Sequence, residues 1–189
     1  EPIVIAPGVD EDAVAARARA AGQIGSVADL VQLLAKAKGD AVAGHPDAAG
    51  KLIIACDSSL ELDGVSLGKP HEPQVARDRW LTMRGRSGIL HSGHWVIDNR
   101  DPKPGTLPPA TGLVSSTKVH FADLSEAEID AYVATGEPLK VAGAFTIDGR
   151  GGAFIRAIEG DTHAVIGLSL AALRQACQQL GVEYTSLWA

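Results

Sequence analysis

The run LIIACDSSLELDGVSLGKP, residues 52–70, sets an aspartate at the end of an apolar stretch and a lysine on a turn soon after it. Asp57 stands just past what reads as the C-terminal end of a buried strand, where open α/β sheets collect their ligands. A carboxylate there can cap the turn into Ser58 and Ser59, hold a metal ion or act as a general base. Position alone leaves cap and functional group evenly matched. Lys69 invites a phosphate-loop reading, but the spacing from Gly64 to Gly68 is one residue short. Pro70 also stands where that loop needs Ser or Thr, and the segment does not turn directly into a helix. Asp57-Ser58-Ser59 lacks the second aspartate, two residues on, that phosphatases with an aspartyl nucleophile use. His91 and His94 look like a metal pair, yet residues three apart on a strand point to opposite faces. Core or surface histidines are the better reading. The run Asp10-Glu11-Asp12 suits a helix start, where carboxylates complement the dipole. It also follows a strand-like stretch, so a glutamate there could meet Asp57 across a cleft.

These side chains need elements to position them. IVIAPGVDEDAV reads as a strand ending at Pro7-Gly8, then an acidic turn into a short helix. GSVADLVQLLAKAKGDAVAG has helical spacing at Leu30, Leu33, Leu34, Ala37 and Ala41, with Ser26 and Asp29 resembling a capping box. Lys36 and Lys38 fall near its end, where cations suit the dipole. Residues 51–56 read as a strand buried on both faces. HEPQVARDRWLTMRG reads as a helix with Pro73 near its first turn, apolar Val75, Trp80 and Met83, and a stop at Gly85. Alternating strands are expected around Ile89–Ile97 and Leu113–Phe121, joined by the turn-rich NRDPKPGTLPPATG. LSEAEIDAYVATGEP carries a full capping box, Ser125 with Glu128, and ends at Gly136 before Pro138. AGAFTIDGRGGAFIRAIEGD reads as strand, glycine-rich turn, strand, and SLAALRQACQQLG as a last helix before a terminal strand, VEYTSLW. Strands mixed with helices predict an α/β fold with a mixed sheet.

The composition narrows the function classes. The 189 residues fit one ordinary domain, 46% apolar and 21% charged, with aromatics only 4%. A net charge of −6 argues against a nucleic-acid-binding surface. An acidic protein that holds a polyphosphate must gather a few cations in one cleft, helped by a divalent ion. No apolar run is long enough to span a bilayer and no signal-peptide pattern opens the chain. Cys56 and Cys177 read as small buried thiols in a reducing compartment, and the cytoplasm is the expected location.

Taken together, IIACDSSLELDGVSLGKP, LTMRGRSGILHSGH, LSEAEIDAYVATGEPLKVAGAFTIDGRGGAFI and EGDTHAVIGLSL resemble the Maf family of nucleoside triphosphate pyrophosphatases, also called septum-formation proteins. The similarity covers nearly the whole chain and lies in the order and spacing of these pieces. It implies an elongated mixed sheet flanked by helices, two lobes with a cleft between them, as in the inosine-triphosphatase-like fold, in one Maf-like domain over residues 1–189. It implies Asp57 as the catalytic carboxylate with Glu11 as its acidic partner, the two holding Mg²⁺ or Mn²⁺. Lys38 and Lys69 then face phosphates, and Asp148, Ser92 and Gly93 complete the substrate site. The implied reaction is metal-dependent hydrolysis of nucleoside triphosphates, with pyrimidines as expected bases, to a monophosphate and pyrophosphate. That would clear non-standard or excess nucleotides, and the family suggests a homodimer. The family opens with a further strand and a Ser-x-Ser-Pro-x-Arg loop, and this sequence begins after them. Lys140-Val141-Ala142-Gly143 stands where many members have Asp-Lys-Ala-Gly, and Ile147-Asp148-Gly149 where they have Ile-Gln-Gly. The missing loop and the Val141 and Asp148 departures favour the alternative reading, a protein of the same fold that holds a nucleotide or a cell-division partner without turnover, whereas the intact Glu11, Lys38, Asp57 and Lys69 favour the enzyme.

Overall fold

The computed structural model describes residues 2–102 and 105–188. Among them are six α-helices: α1 Glu11–Ala20, α2 Val27–Ala43, α3 Pro73–Met83, α4 Glu126–Ala134, α5 Thr162–Ile166 and α6 Leu170–Gln179. Five strands, β1 Lys51–Leu62, β2 Val65–Leu67, β3 Ser87–Asn99, β4 Ala110–Phe121 and β5 Ile155–Glu159, form one sheet in the order β2-β1-β3-β4-β5. The expected α/β architecture, a sheet flanked by helices, is what the chain adopts. Its sheet is antiparallel, β2 folding back on β1 through a tight hairpin and β5 running against β4.

The contacts group into two units, Glu1–Asp57 with Gly93–Val114 and Leu170–Ala189, and Ser58–Ser92 with Ser115–Ser169. In the first unit α1 lies on α2 through Ala15, Leu30 and Leu34, with Val14 and Ile24 at the margin. Ile53 of β1 and Ile97 of β3 pack with Ala48, Val42 and Ala43. Ser26 caps α2 by accepting from the Asp29 amide, and the Asp29 carboxylate takes the Gly25 amide in return. The shorter Asp thus reaches the residue before the cap, where a Glu reaches the cap's own amide. The helix runs past Lys36 and Lys38 to Ala43, with no cation in its last turn.

The second unit holds the larger core, in which Leu60, Trp80, Met83, Val119, Phe121 and Ile129 are fully buried. All three phenylalanines gather here with Trp80 and Tyr132, edge to face at centroid distances of 5.2–5.9 Å. Such pairs add about 0.5–1.5 kcal/mol each beyond their buried area. Trp80 also donates its indole N–H to the Ala144 carbonyl at 2.8 Å. In α3 it is Ala76 that turns inward with Trp80 and Met83, whereas Val75 is partly exposed. The capping box of α4 forms as expected, and Gly136 leaves the helix at φ +75°.

Four local expectations change. The strand carrying Asp57 does not stop at residue 56 but continues to Leu62, so Asp57 lies within β1 and caps no turn. Alternation takes over there, Leu60 and Leu62 inward and Glu61 outward, and the strand ends in a hairpin whose two loop residues, Asp63 and Gly64, both have positive φ. Residues 2–10 form no strand; Pro2 and Pro7 lack the N–H a ladder needs, and Val4 is exposed. The first strand expected in AGAFTIDGRGGAFI is absent, and short 3₁₀ turns at Ala142–Ala144 and Arg150–Phe154 lead instead into β5. The terminal VEYTSLW forms a 3₁₀ turn at Tyr184–Trp188, because Thr185 and Ser186 hydrogen-bond back to Glu183 and curl the chain.

Candidate active site

Three of the expected residues meet in the first unit. Glu11 opens α1, whose start is fixed by the Asp10 carboxylate accepting from the Ala13 amide. Lys38 comes from α2 and Asp57 from β1. The Lys38 ammonium lies 2.6 Å from Asp57 Oδ1 and 2.9 Å from Glu11 Oε1. Asp57 is only 11% exposed and Lys38 15%, whereas Glu11 is 45% exposed. Burial alone would lower the Lys38 pKa, but the hydrogen bond and charge of Asp57, then those of Glu11, hold it above the ordinary lysine value. This lysine is therefore charged throughout the neutral range, and its contribution to stability is lost only as the pH climbs past that of a free lysine.

Two glycines set the distance between α2 and the strands beneath it. A Cβ on Gly93 of β3 would sit 2.5 Å from the backbone of Val31, and one on Gly39 would sit 2.6 Å from the Trp95 ring. Gly93, expected at the substrate, is thus buried against α2, and the approach it permits brings Lys38 to its partners. Lys38 also lines a cavity of about 450 Å³, together with Ile5, Ile53, Ala55, Cys56 and Leu187 among others. That lies within the range of small-ligand pockets. Burial, then the neighbouring Asp57 charge, pushes the Cys56 thiol up to about 11, so it is no nucleophile at neutral pH. Both cysteines are free thiols, as expected.

The remaining candidates belong to the second unit. Lys69 and Asp148 are exposed and, among the described residues, have no hydrogen bond or ion pair. The loop bearing Lys69 is nonetheless pinned on both sides: Arg79 and the Gly143 amide donate to the Gly68 carbonyl, and the His71 amide donates to Leu139. Ser92 is fully buried; its hydroxyl donates to the Ala164 carbonyl and so accepts from Ser58. His91 bridges Ser116 and Glu61, and His94 is buried with Nδ1 against the Leu113 carbonyl. Among the described residues no group of three or more His, Cys, Asp or Glu is placed to hold a metal.

The residue that sets the Asp148 turn carried no signal in the sequence. Glu137 accepts from Tyr132 Oη, Thr146 Oγ1 and the amides of Arg150 and Gly151. Burial would raise its pKa, but these bonds, that of Thr146 foremost, hold the carboxyl down at about 2. A depressed carboxyl stabilises the fold above its unfolded value, near 4.5, and loses that effect as the pH falls toward 2. Glu137→Gln is therefore expected to cost about 1–3 kcal/mol at pH 7, a deficit that shrinks as the pH falls through this window. Urea midpoints of both proteins at pH 7, 4 and 2.5 check this; a constant deficit would contradict it.

Could the acidic pair hold a divalent ion? Asp57 and Glu11 each bring one carboxylate oxygen to the same ammonium, and Mg²⁺ is commonly held by one or two carboxylates plus waters and substrate phosphates. The donor set fits that ion, and no closed protein cage is required of it.

A family model for Maf-like proteins matches residues 1–180 of the chain. A protein of Leifsonia xyli is 50% identical over the whole chain and 87% of its own length, and one of Streptomyces coelicolor is 48% identical with 84% of its length covered. A third, from Cutibacterium acnes, is 48% identical with 85% covered, and each of the three is named nucleoside triphosphate pyrophosphatase. The chain belongs to the Maf-like family.

Proposed function

We propose that this protein is a nucleoside triphosphate pyrophosphatase, a hydrolase acting on a phosphoric anhydride, with Asp57 and Glu11 as its acidic centre. The observation that carries this reading is the trio Glu11–Lys38–Asp57, a nearly buried carboxylate and a second one held at a single ammonium. The names of the relatives supply the reaction. A divalent ion, Mg²⁺ or Mn²⁺, would be held by Asp57 and Glu11 and would neutralise phosphate oxygens and align the chain for in-line attack. Asp57 orients the attacking water and takes its proton as the bond between the α and β phosphates breaks. Lys69, unpaired on a pinned loop, donates to the phosphate chain. Asp148 is exposed and, when ionised, can only accept hydrogen bonds, so it selects donor groups on the base. Pyrimidine triphosphates are the expected substrates, and Ser92 and Gly93 act by holding β3 rather than by touching the ligand.

Among the described residues no helix is long and apolar enough to cross a membrane. The cysteines are free thiols, and the family resemblance gives the expectation of work on nucleotides in the cytoplasm, as a homodimer. A screen of standard and modified triphosphates with Mg²⁺ or Mn²⁺, read by pyrophosphate release, tests the reading. Turnover of at least one triphosphate is expected, with the best rates on pyrimidines. Binding without turnover across the screen would favour a nucleotide-holding protein instead.

A further inference from the structure

Lys38 occupies the place between two carboxylates that a divalent ion would need. Its ammonium has three N–H donors, and Asp57 and Glu11 take two of them at 2.6 and 2.9 Å. The side chain is enclosed at this point, with Gly39 beside it pressed against the Trp95 ring, so the helix cannot simply carry it away. An ammonium and a dication cannot both stand against the same pair of oxygens, because like charges in a partly buried site repel strongly. We infer that Lys38 is an internal counter-ion, displaced from Glu11 and Asp57 when a divalent metal binds, and freed for a phosphate only by that displacement. This rests on the reading of Glu11 and Asp57 as the metal-binding pair.

One consequence concerns the protein without metal and a second concerns its ligands. The single ammonium offsets half the charge of the two carboxylates and holds both against it, so the site is preformed rather than held apart by its own charge. Metal and triphosphate also become coupled ligands: the metal releases the lysine that the phosphate uses, and the phosphate fixes the displaced lysine that would otherwise compete with the metal. By linkage each then tightens the other.

The test titrates Mn²⁺ alone, without nucleotide, into the wild-type protein and into Lys38→Met, Lys38→Gln and Asp57→Asn, followed by calorimetry or Mn²⁺ electron paramagnetic resonance. Losing charge-assisted hydrogen bonds on the competing ammonium is expected to tighten Mn²⁺ binding by about 10- to 100-fold in both Lys38 variants. Asp57→Asn is expected to abolish it. In the wild-type protein, which needs no altered fold, labelling of Lys38 by an amine-reactive reagent should rise when Mn²⁺ is added. Unchanged or weaker Mn²⁺ affinity in the Lys38 variants, or Lys38 labelling that does not rise, overturns the counter-ion inference while leaving the metal pair standing. Absence of Mn²⁺ binding in every protein overturns both.

Discussion

Replacing Asp57 by Asn is expected to lower pyrophosphate release by about 10²- to 10⁴-fold, the range that positioned general bases contribute. Asparagine keeps the volume and an acceptor oxygen for Lys38, so β1 and α2 keep their places. What it removes is the charge and the capacity to take a proton from water. The 11% exposure of Asp57 makes the change larger than at a solvated carboxylate, because in a partly buried site no water restores the lost field. Lys38 retains Glu11 as a partner, so the fold survives with a deficit of about 1–3 kcal/mol. Turnover is measured at matched concentrations of folded protein, with circular dichroism as the control. A variant with wild-type rates would remove Asp57 from the reaction.

Gly93→Ala is expected to do its damage through the fold. The added methyl would meet the Val31 carbonyl carbon and oxygen at 2.5 Å and the Gln32 amide nitrogen at 2.7 Å. All three are main-chain atoms of α2, which cannot rotate aside as a side chain can. The strand and the helix must then separate, and the displacement passes directly to Lys38, about two turns along the same helix. We expect a loss of about 3 kcal/mol or more, or no folded protein, since overpacking against backbone is among the costlier single changes. Gly44→Ala is the control, because nothing lies within 4 Å of a Cβ there and its φ is −85°. Urea midpoints compare the two; a Gly93→Ala midpoint equal to that of wild type would show that α2 does not lean on this strand.

Much of the local structure was legible because it is written in side chains that act on their own neighbours. The Ser125–Glu128 box, Pro73 at the head of α3 and the glycine stops each specify a helix end without help from elsewhere. Asp57, Glu11 and Lys38 were legible through the order of family motifs rather than through spacing, since residues from α1, α2 and β1 meet only after folding. What stayed hidden depends on long-range contact. Glu137 looks like any exposed glutamate after a helix until Thr146, Arg150 and Gly151 turn back onto it. Gly93 reads as one of a small pair near a ligand until the proximity of α2 is known. VEYTSLW has the composition of a strand, and only its hydrogen bonds to Glu183 reveal the turn.

The most direct measurement is the identity of the products. Incubating the protein with Mg²⁺ and a pyrimidine triphosphate, and following the phosphorus resonances with time, should show monophosphate and pyrophosphate rising together in equal amounts. Cleavage between the α and β phosphates requires that pairing. Diphosphate with inorganic phosphate, or a triphosphate left intact by every base and metal tried, would contradict the account.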